Sequence, residues 1–143
     1  LCGAGVALKL VHALAGLSEA LNYTTIATLA TVADIVPLID ENRAIVKLGL
    51  ANQKEQLPKG LKQLSKLLKI SLPLTSTDIS FKLAPKINAT GRMGDAIISF
   101  NLYVDKDEDE IKNNINNKFV ISEIDTEYLT DDIVIAKSSR SNF

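Results

Sequence analysis

The stretch ATLATVADIVPL, residues 27–38, holds eleven uncharged residues and one carboxylate, that of Asp34. It overlaps a continuous apolar and threonine-rich run over residues 22–36, which is longer than a usual strand. The threonines favour a strand by propensity, but the length favours a helix. Pro37 is expected to end this helix, because the residue before a proline is pushed out of the α region.

The carboxylate of Asp34 requires compensation if it is buried in these apolar surroundings, since an uncompensated buried ion costs several kcal/mol. A solvated or backbone-capping carboxylate at a helix end would need no special partner. A divalent cation would compensate the charge fully and prefers oxygen ligands. The sequence offers no second acidic cluster of fitting spacing, so the residues alone leave both interpretations open.

Length and composition indicate one globular domain, with 143 residues of which 46% are hydrophobic. No apolar run reaches the roughly 18–20 residues that span a bilayer, so no membrane partner is expected. The opening segment resembles no signal peptide, because Lys9 and His12 interrupt it and no basic region precedes it. With one cysteine, Cys2, the chain is expected to be cytoplasmic and to hold no zinc site of the usual kind.

Charge divides the chain in two. Residues 1–104 carry eleven Lys and Arg against seven Asp and Glu, whereas residues 105–143 carry five against ten. We therefore expect one domain segment over 1–104 and an acidic connector with an uncertain tail over 105–143. Within the latter, 105–119 is typical of a solvated, weakly amphipathic helix, and 120–136 of short strands.

Hydrophobic spacing predicts a mostly α-helical chain. Helices are expected over residues 4–21, 22–36, 40–50, 61–68, 77–86 and 94–104. Asp40 is the expected acidic N-cap of the third of these helices, and a cluster of Thr and Ser at 75–77 is expected to cap the fifth. The polar stretch KINATGRMGDA, residues 86–96, is expected to be a turn.

This polar stretch is also the second candidate site. Arg92 offers a planar fork of donors that matches a phosphate, Gly91 permits close approach of the backbone, and Asn88 and Lys86 add an amide and a charge. The alternative is an ordinary turn between helices. His12 is interpreted as structural.

Two glycines precede the first predicted helix, Gly3 and Gly5. A small-residue approach to a helix N-terminus can hold an anion. A tight packing contact explains these glycines equally well and is favoured.

Three segments occur in one order: LCGAGVALKL, TVADIVPLIDENRAIVKLGL and DISFKLAPKINATGRMGDA. Over about residues 1–104 they resemble the RecJ family of single-strand-specific exonucleases, in the DHH phosphoesterase superfamily. Asp34 matches the last metal-binding aspartate of that family, which implies a catalytic role and a Mn²⁺ or Mg²⁺ ligand.

Further positions match family signatures. Asn88, Gly91 and Arg92 match an Asn-Ala-x-Gly-Arg signature implicated in gripping the DNA phosphate backbone. Asn42 and Arg43 match another signature, interpreted as structural because it suits a helix start.

The resemblance implies 5′-to-3′ hydrolysis of single-stranded DNA at a two-metal site. It also implies the C-terminal, mostly helical half of an α/β catalytic domain with a parallel sheet, followed by a helical connector. The family's Asp-x-Asp and Asp-His-His motifs are absent and are expected upstream of Leu1. The chain alone is therefore expected to be inactive, with the missing N-terminal half of its domain as a partner. Apolar faces over 26–36 and 94–104 are expected to be exposed, which predicts poor solubility or dimerisation.

Three alternatives remain. One is another DHH phosphoesterase acting on small nucleotides or pyrophosphate. A second is a non-catalytic nucleic-acid-binding module that kept the scaffold, and a third is a degenerate remnant.

Overall fold

The computed structural model describes residues 1–92, 96–104, 107, 109–113 and 115, and these residues contain helices and no strand. This confirms the expected mostly α-helical class for the described part of the chain. The helices are α1 Gly3–Ala15, α2 Leu17–Leu21, α3 Thr24–Ala33, α4 Asp40–Ala51, α5 Gln53–Gln56, α6 Lys59–Leu67, α7 Ser76–Asp78, a π-helical turn Ile79–Leu83, α8 Ala84–Arg92 and α9 Ala96–Val104. None of the described helices is long and apolar enough to cross a membrane.

The threonine-rich run forms helix α3, as its length predicted. Its threonines serve the packing of α3 on α4: the hydroxyl of Thr25 donates to the carbonyl of Gly49 at 2.9 Å, and that of Thr28 to the carbonyl of Ile45 at 2.9 Å. A Cβ added at Gly49 would overlap the Thr28 side chain and the Thr24 backbone. The two helices therefore cross at Gly49 in close contact, and this contact fixes the position of α3 against α4.

The main hydrophobic core joins α6 to the π-helical turn and α9. Leu61 and Leu64 of α6 are fully buried, and Leu102 of α9 packs in the same cluster. Gly60 makes the approach possible, because a Cβ there would overlap the backbone of Leu102. Helix α9 is thereby held against α6 by backbone contact.

Two details at the helix starts differ from prediction. The single helix expected over 4–21 is two helices, because Gly16 adopts φ 87° between them, a conformation that glycine adopts without steric penalty. Asp40 is not the N-cap of α4. That position is Ile39, and Asp40 is the first helical residue. The cluster at 75–77 does cap its helix, since Thr75 forms a capping box with Asp78.

Exposure of apolar side chains also differs in part from prediction. Most of α3 is buried, because α1 and α4 both pack on it, so the exposed apolar face expected over 26–36 is found only in part, chiefly at Ile35, which is 86% exposed. Ile97 and Phe100 on α9 are exposed, and an unpredicted row of exposed apolar residues lies on α1 at Val6, Leu10 and Leu14.

Beyond α9, residues 109–113 are helical, with Ile111 buried in the main core while Asp109 and Lys112 are exposed. This agrees with the weakly amphipathic helix expected there. Packing of the main core continues past residue 104. The strands expected over 120–136 lie outside the described residues.

Candidate metal and phosphate site

Asp34 lies at the open end of α3 and is exposed rather than buried. Its N–H donates to the carbonyl of Ala30 at 2.9 Å, which makes it the C-cap residue. The helix ends at Ala33 and leaves the next side chain in solvent, so this carboxylate does not carry the cost of burial among apolar side chains. Among the described residues, none forms a hydrogen bond or an ion pair with this carboxylate.

The electrostatics of this helix end favour a cation. The last carbonyls of a helix carry partial negative charge, which is unfavourable for a neighbouring carboxylate and favourable for a positive ion.

Ile35, directly after Asp34, has φ 53° and is 86% exposed. Branched residues rarely adopt this left-handed conformation, and such outliers concentrate at functional sites.

The loop that follows Asp34 is held from α4. Asn42 is buried, and its amide nitrogen donates to the carbonyl of Pro37 at 2.9 Å. This contact agrees with the structural interpretation of the Asn42 and Arg43 pair. The N–H of Arg43 bonds to the carbonyl of Ile39 in the first turn, and its side chain is exposed.

The polar stretch expected to be a turn is helical as far as Arg92. Asn and Gly are weak helix formers, but packing overrides this preference: Ile87 packs against the main core, and its carbonyl accepts from the hydroxyl of Ser99 at 2.9 Å. In a helix, positions 88, 91 and 92 follow one face at i, i+3 and i+4. The surroundings of Gly91 and the Arg92 side chain lie outside the described part of the chain.

One cavity of about 370 Å³ joins Asp34 to Asn88. The two residues come from different helices and are the two predicted site residues whose surroundings the structure describes. The rest of the lining is mostly apolar and comes from α1, α3, the π-helical turn, α8 and α9. This combination of an apolar wall with a few polar groups is typical of small-ligand sites.

Tyr103 lines the same cavity and was missed by the sequence analysis. It lies beside Leu102, whose close packing on Gly60 fixes α9. Burial raises the pKa of the Tyr103 phenol above its ordinary value, so at neutral pH the phenol is protonated and can donate a hydrogen bond. The sequence carries no specific signal for it, because Ser99 and Asn101 also place polar groups in this mostly apolar helix.

Three residues near the N-terminus, Cys2, Gly5 and His12, make packing or backbone contacts and do not line the cavity of Asp34 and Asn88. The sulfur of Cys2 is buried 3.5 Å from the Thr31 hydroxyl. A Cβ at Gly5 would press on Leu1, which favours the packing interpretation. His12 accepts from the Gly16 N–H through its carbonyl and lines a separate cavity, beside the ion pair of Lys9 and Glu41.

The described residues fit a metal ion only in part. They contain no group of three or more His, Cys, Asp or Glu side chains close enough to share an ion. Asp34 has the oxygen chemistry, the exposure and the position at a negative helix end that a divalent cation requires. It can act as one ligand, and the remaining ligands would have to come from outside these residues.

The chain is similar to known proteins in sequence and in fold. No family model matches the chain. It is 41% identical over 112 residues to the single-stranded-DNA-specific exonuclease RecJ of Bacillus subtilis, covering 77% of this chain and 14% of that protein. It is 37% identical over 111 residues to RecJ of Thermus thermophilus, covering 76% and 16%.

Solved structures agree. The crystal structure of RecJ from Thermus thermophilus in complex with Mn²⁺ matches with a TM-score of 0.74 at 28% identity, over 88% of this chain and 19% of that one. The crystal structure of the same protein with Mg²⁺ matches with a TM-score of 0.74 at 28% identity, over 88% of this chain and 20% of that one. The chain thus spans only 14–16% of the length of these two curated relatives.

Proposed function

We propose that this RecJ-like chain is one segment of a metal-dependent nuclease that hydrolyses single-stranded DNA, and that Asp34 is a ligand to Mn²⁺ or Mg²⁺. The observation that carries the proposal is the cavity shared by Asp34 and Asn88. One cavity thus contains an exposed carboxylate at the negative end of α3 and an amide that can donate to a phosphate oxygen. Relatives of this sequence are named as single-stranded-DNA-specific exonucleases, and related structures hold Mn²⁺ or Mg²⁺.

Each residue of the site has a role in this proposal. A bound divalent cation would polarise the phosphodiester and lower the pKa of a water molecule. Asp34 holds and orients that cation. Asn88 donates to a phosphate oxygen, Arg92 binds the same backbone through its fork of donors, and Gly91 permits close approach. The protonated phenol of Tyr103 can add a neutral donor.

The proposal extends to organisation. Residues 1–104 would belong to the catalytic domain and 105–143 to an acidic connector. One described carboxylate cannot hold two metals, so the isolated chain would not cleave DNA. The 5′-to-3′ polarity is part of the same proposal and follows from the family resemblance.

The test is a chimera of Bacillus subtilis RecJ in which the matched segment is replaced by the corresponding segment of this chain, which is 77% of its length. We expect Mn²⁺-dependent digestion of a single strand by the chimera, and loss of digestion on Asp34→Ala. Glu55→Ala, which removes an exposed carboxylate elsewhere, is the matched control. A folded Asp34→Ala chimera that digests at the unmodified rate would refute the role of Asp34.

A non-catalytic strand-binding module is the second candidate, favoured by the single carboxylate in the described cavity. It predicts a folded chimera that binds a single strand and does not digest it. The same assay, read for binding and for digestion, separates the two candidates.

A further inference from the structure

Phe81 is 77% exposed in the π-helical turn, although its neighbours Ile79 and Leu83 are among the most buried residues of the chain. The turn is anchored on both sides, by the capping box of Thr75 and Asp78 and by the start of α8. An aromatic ring is thus held in solvent by a well-packed backbone. Short π-helical segments of this kind are frequent at functional sites.

Positive charge surrounds this ring. A cavity of about 500 Å³ is lined by Phe81 together with Lys69, Lys82 and Lys86, and no acidic residue lines it. Lys82 pairs with Asp78 at 2.6 Å, yet its side chain remains 56% exposed. We call this cavity the Phe81 groove.

A second cavity, of about 270 Å³, adjoins the Phe81 groove and shares Phe81 with it. Ile35, which follows Asp34 in the chain, also lines this second cavity. The hydroxyl residues Ser76, Thr77 and Ser80 also line this cavity and supply neutral donors and acceptors. Through Phe81, the groove with its three lysines therefore adjoins a cavity that reaches the residue after Asp34.

We propose that the Phe81 groove binds a single-stranded polynucleotide, with one base stacked on Phe81 and the flanking phosphates bound by Lys69, Lys82 and Lys86. An exposed aromatic face beside lysines is the chemistry that holds single strands without reading their sequence. A duplex has no unstacked base to offer, so the groove selects single strands. The groove would be a second subsite, for the non-reacting part of the substrate, and to that extent the inference rests on the proposed function. Binding in the groove itself requires no metal.

The experiment measures binding of the 143-residue chain to a labelled oligothymidylate of about 20 nucleotides by fluorescence anisotropy. EDTA is present, so the metal site plays no part. Phe81→Ala removes the stacking surface, and Phe100→Ala, which removes an exposed ring from α9, is its control. Lys69→Gln/Lys86→Gln removes two groove lysines, and Lys47→Gln/Lys54→Gln, exposed elsewhere, is its control.

The two groove variants should lose different interactions with the strand, base stacking in one and phosphate contacts in the other. Phe81→Ala should bind about tenfold more weakly to oligothymidylate and equally to an abasic strand of the same length, because only stacking is lost. Lys69→Gln/Lys86→Gln should weaken binding of both strands. The slope of the logarithm of the binding constant against the logarithm of the salt concentration should become shallower by about 1.4, because each lost phosphate contact contributes roughly 0.7. Far-ultraviolet circular dichroism establishes that each variant is folded.

Three results would overturn the inference: no strand binding by the unmodified chain at low salt, equal losses in Phe81→Ala and Phe100→Ala, or equal losses on thymidylate and abasic strands. An inactive chimera with intact groove binding would refute the proposed nuclease and leave the groove standing. If the chimera digests DNA and loses this activity on Asp34→Ala, but the groove binds no single strand, the proposed nuclease function would stand and the groove inference would be refuted.

Discussion

Asp34 at the end of α3 and Asn88 in α8 line one cavity, although they are distant in sequence. The carboxylate has no hydrogen-bond or ion-pair partner among the described residues, and the amide is exposed. The pair thus offers one group for a cation and one for the oxygens of a phosphate. Its arrangement depends on the close crossing of α3 and α4 and on the packing of α8 against the core.

Replacing the amide should weaken the hold on substrate. In the Bacillus subtilis chimera, Asn88→Ala should lower kcat/KM for single-stranded DNA by about tenfold, the equivalent of one hydrogen bond to a charged group. Asn22→Ala, which removes an exposed amide elsewhere, is the control. Equal kcat/KM in the two variants would exclude Asn88 from phosphate binding.

The crossing of α3 and α4 should be sensitive to one methyl group. Gly49→Ala should lower the free energy of unfolding by about 1–3 kcal/mol, because the added Cβ overlaps Thr28 and the Thr24 backbone. Gly3→Ala meets open space and should be near neutral. Urea unfolding followed by circular dichroism measures both, since the chain has no tryptophan. A neutral Gly49→Ala would show that the two helices are further apart than described.

The backbone after Asp34 should be strained. Ile35→Asn should raise the free energy of unfolding by about 1 kcal/mol, because asparagine tolerates a positive φ that is unfavourable for a branched residue. The exposed side chain loses little burial. Ile97→Asn, the same change at an exposed position in helix α9 without a positive φ, should bring no gain in the same urea measurement. Equal effects of the two substitutions would contradict strain at Ile35.

The capping box should make stability depend on pH in acid. Lys82, then the hydroxyl and N–H of Thr75, lower the pKa of Asp78 from 3.8 to about 2. A carboxyl group with a lowered pKa in the folded state stabilises it above the ordinary pKa and loses that contribution as pH falls. The gap in Tm between the unmodified chain and Asp78→Asn should therefore shrink from pH 4 to pH 2. Asp109→Asn is the control, and a constant gap for Asp78→Asn would contradict the assignment.

Sequence reasoning found the helices wherever apolar spacing was strong. The length of the threonine-rich run correctly outweighed its strand propensity, but only the structure showed why threonines are there: Thr25 and Thr28 bond to carbonyls of α4. It missed the break at Gly16, because a single glycine inside a periodic pattern does not reveal its φ.

At the candidate site, sequence reasoning chose Asp34 and Asn88, which the structure brings to one cavity. For Asp34 it left a solvated helix end and a metal site open, and the structure shows that the helix end exposes the carboxylate. It misjudged the surroundings of Asn88, because local propensity suggested a turn where packing of Ile87 holds a helix. Tyr103 could not be chosen, since its proximity depends on the contact of α9 with Gly60.

The most direct test of the metal-site claim is the amount and affinity of Mn²⁺ bound by the Bacillus subtilis chimera, measured from the paramagnetic resonance signal of free Mn²⁺. Loss of a ligand should weaken Mn²⁺ binding at least about tenfold. We predict this loss for Asp34→Ala and unchanged binding for Glu55→Ala. A folded Asp34→Ala chimera that binds Mn²⁺ with the stoichiometry and affinity of the unmodified chimera would contradict the assignment of Asp34 as a metal ligand.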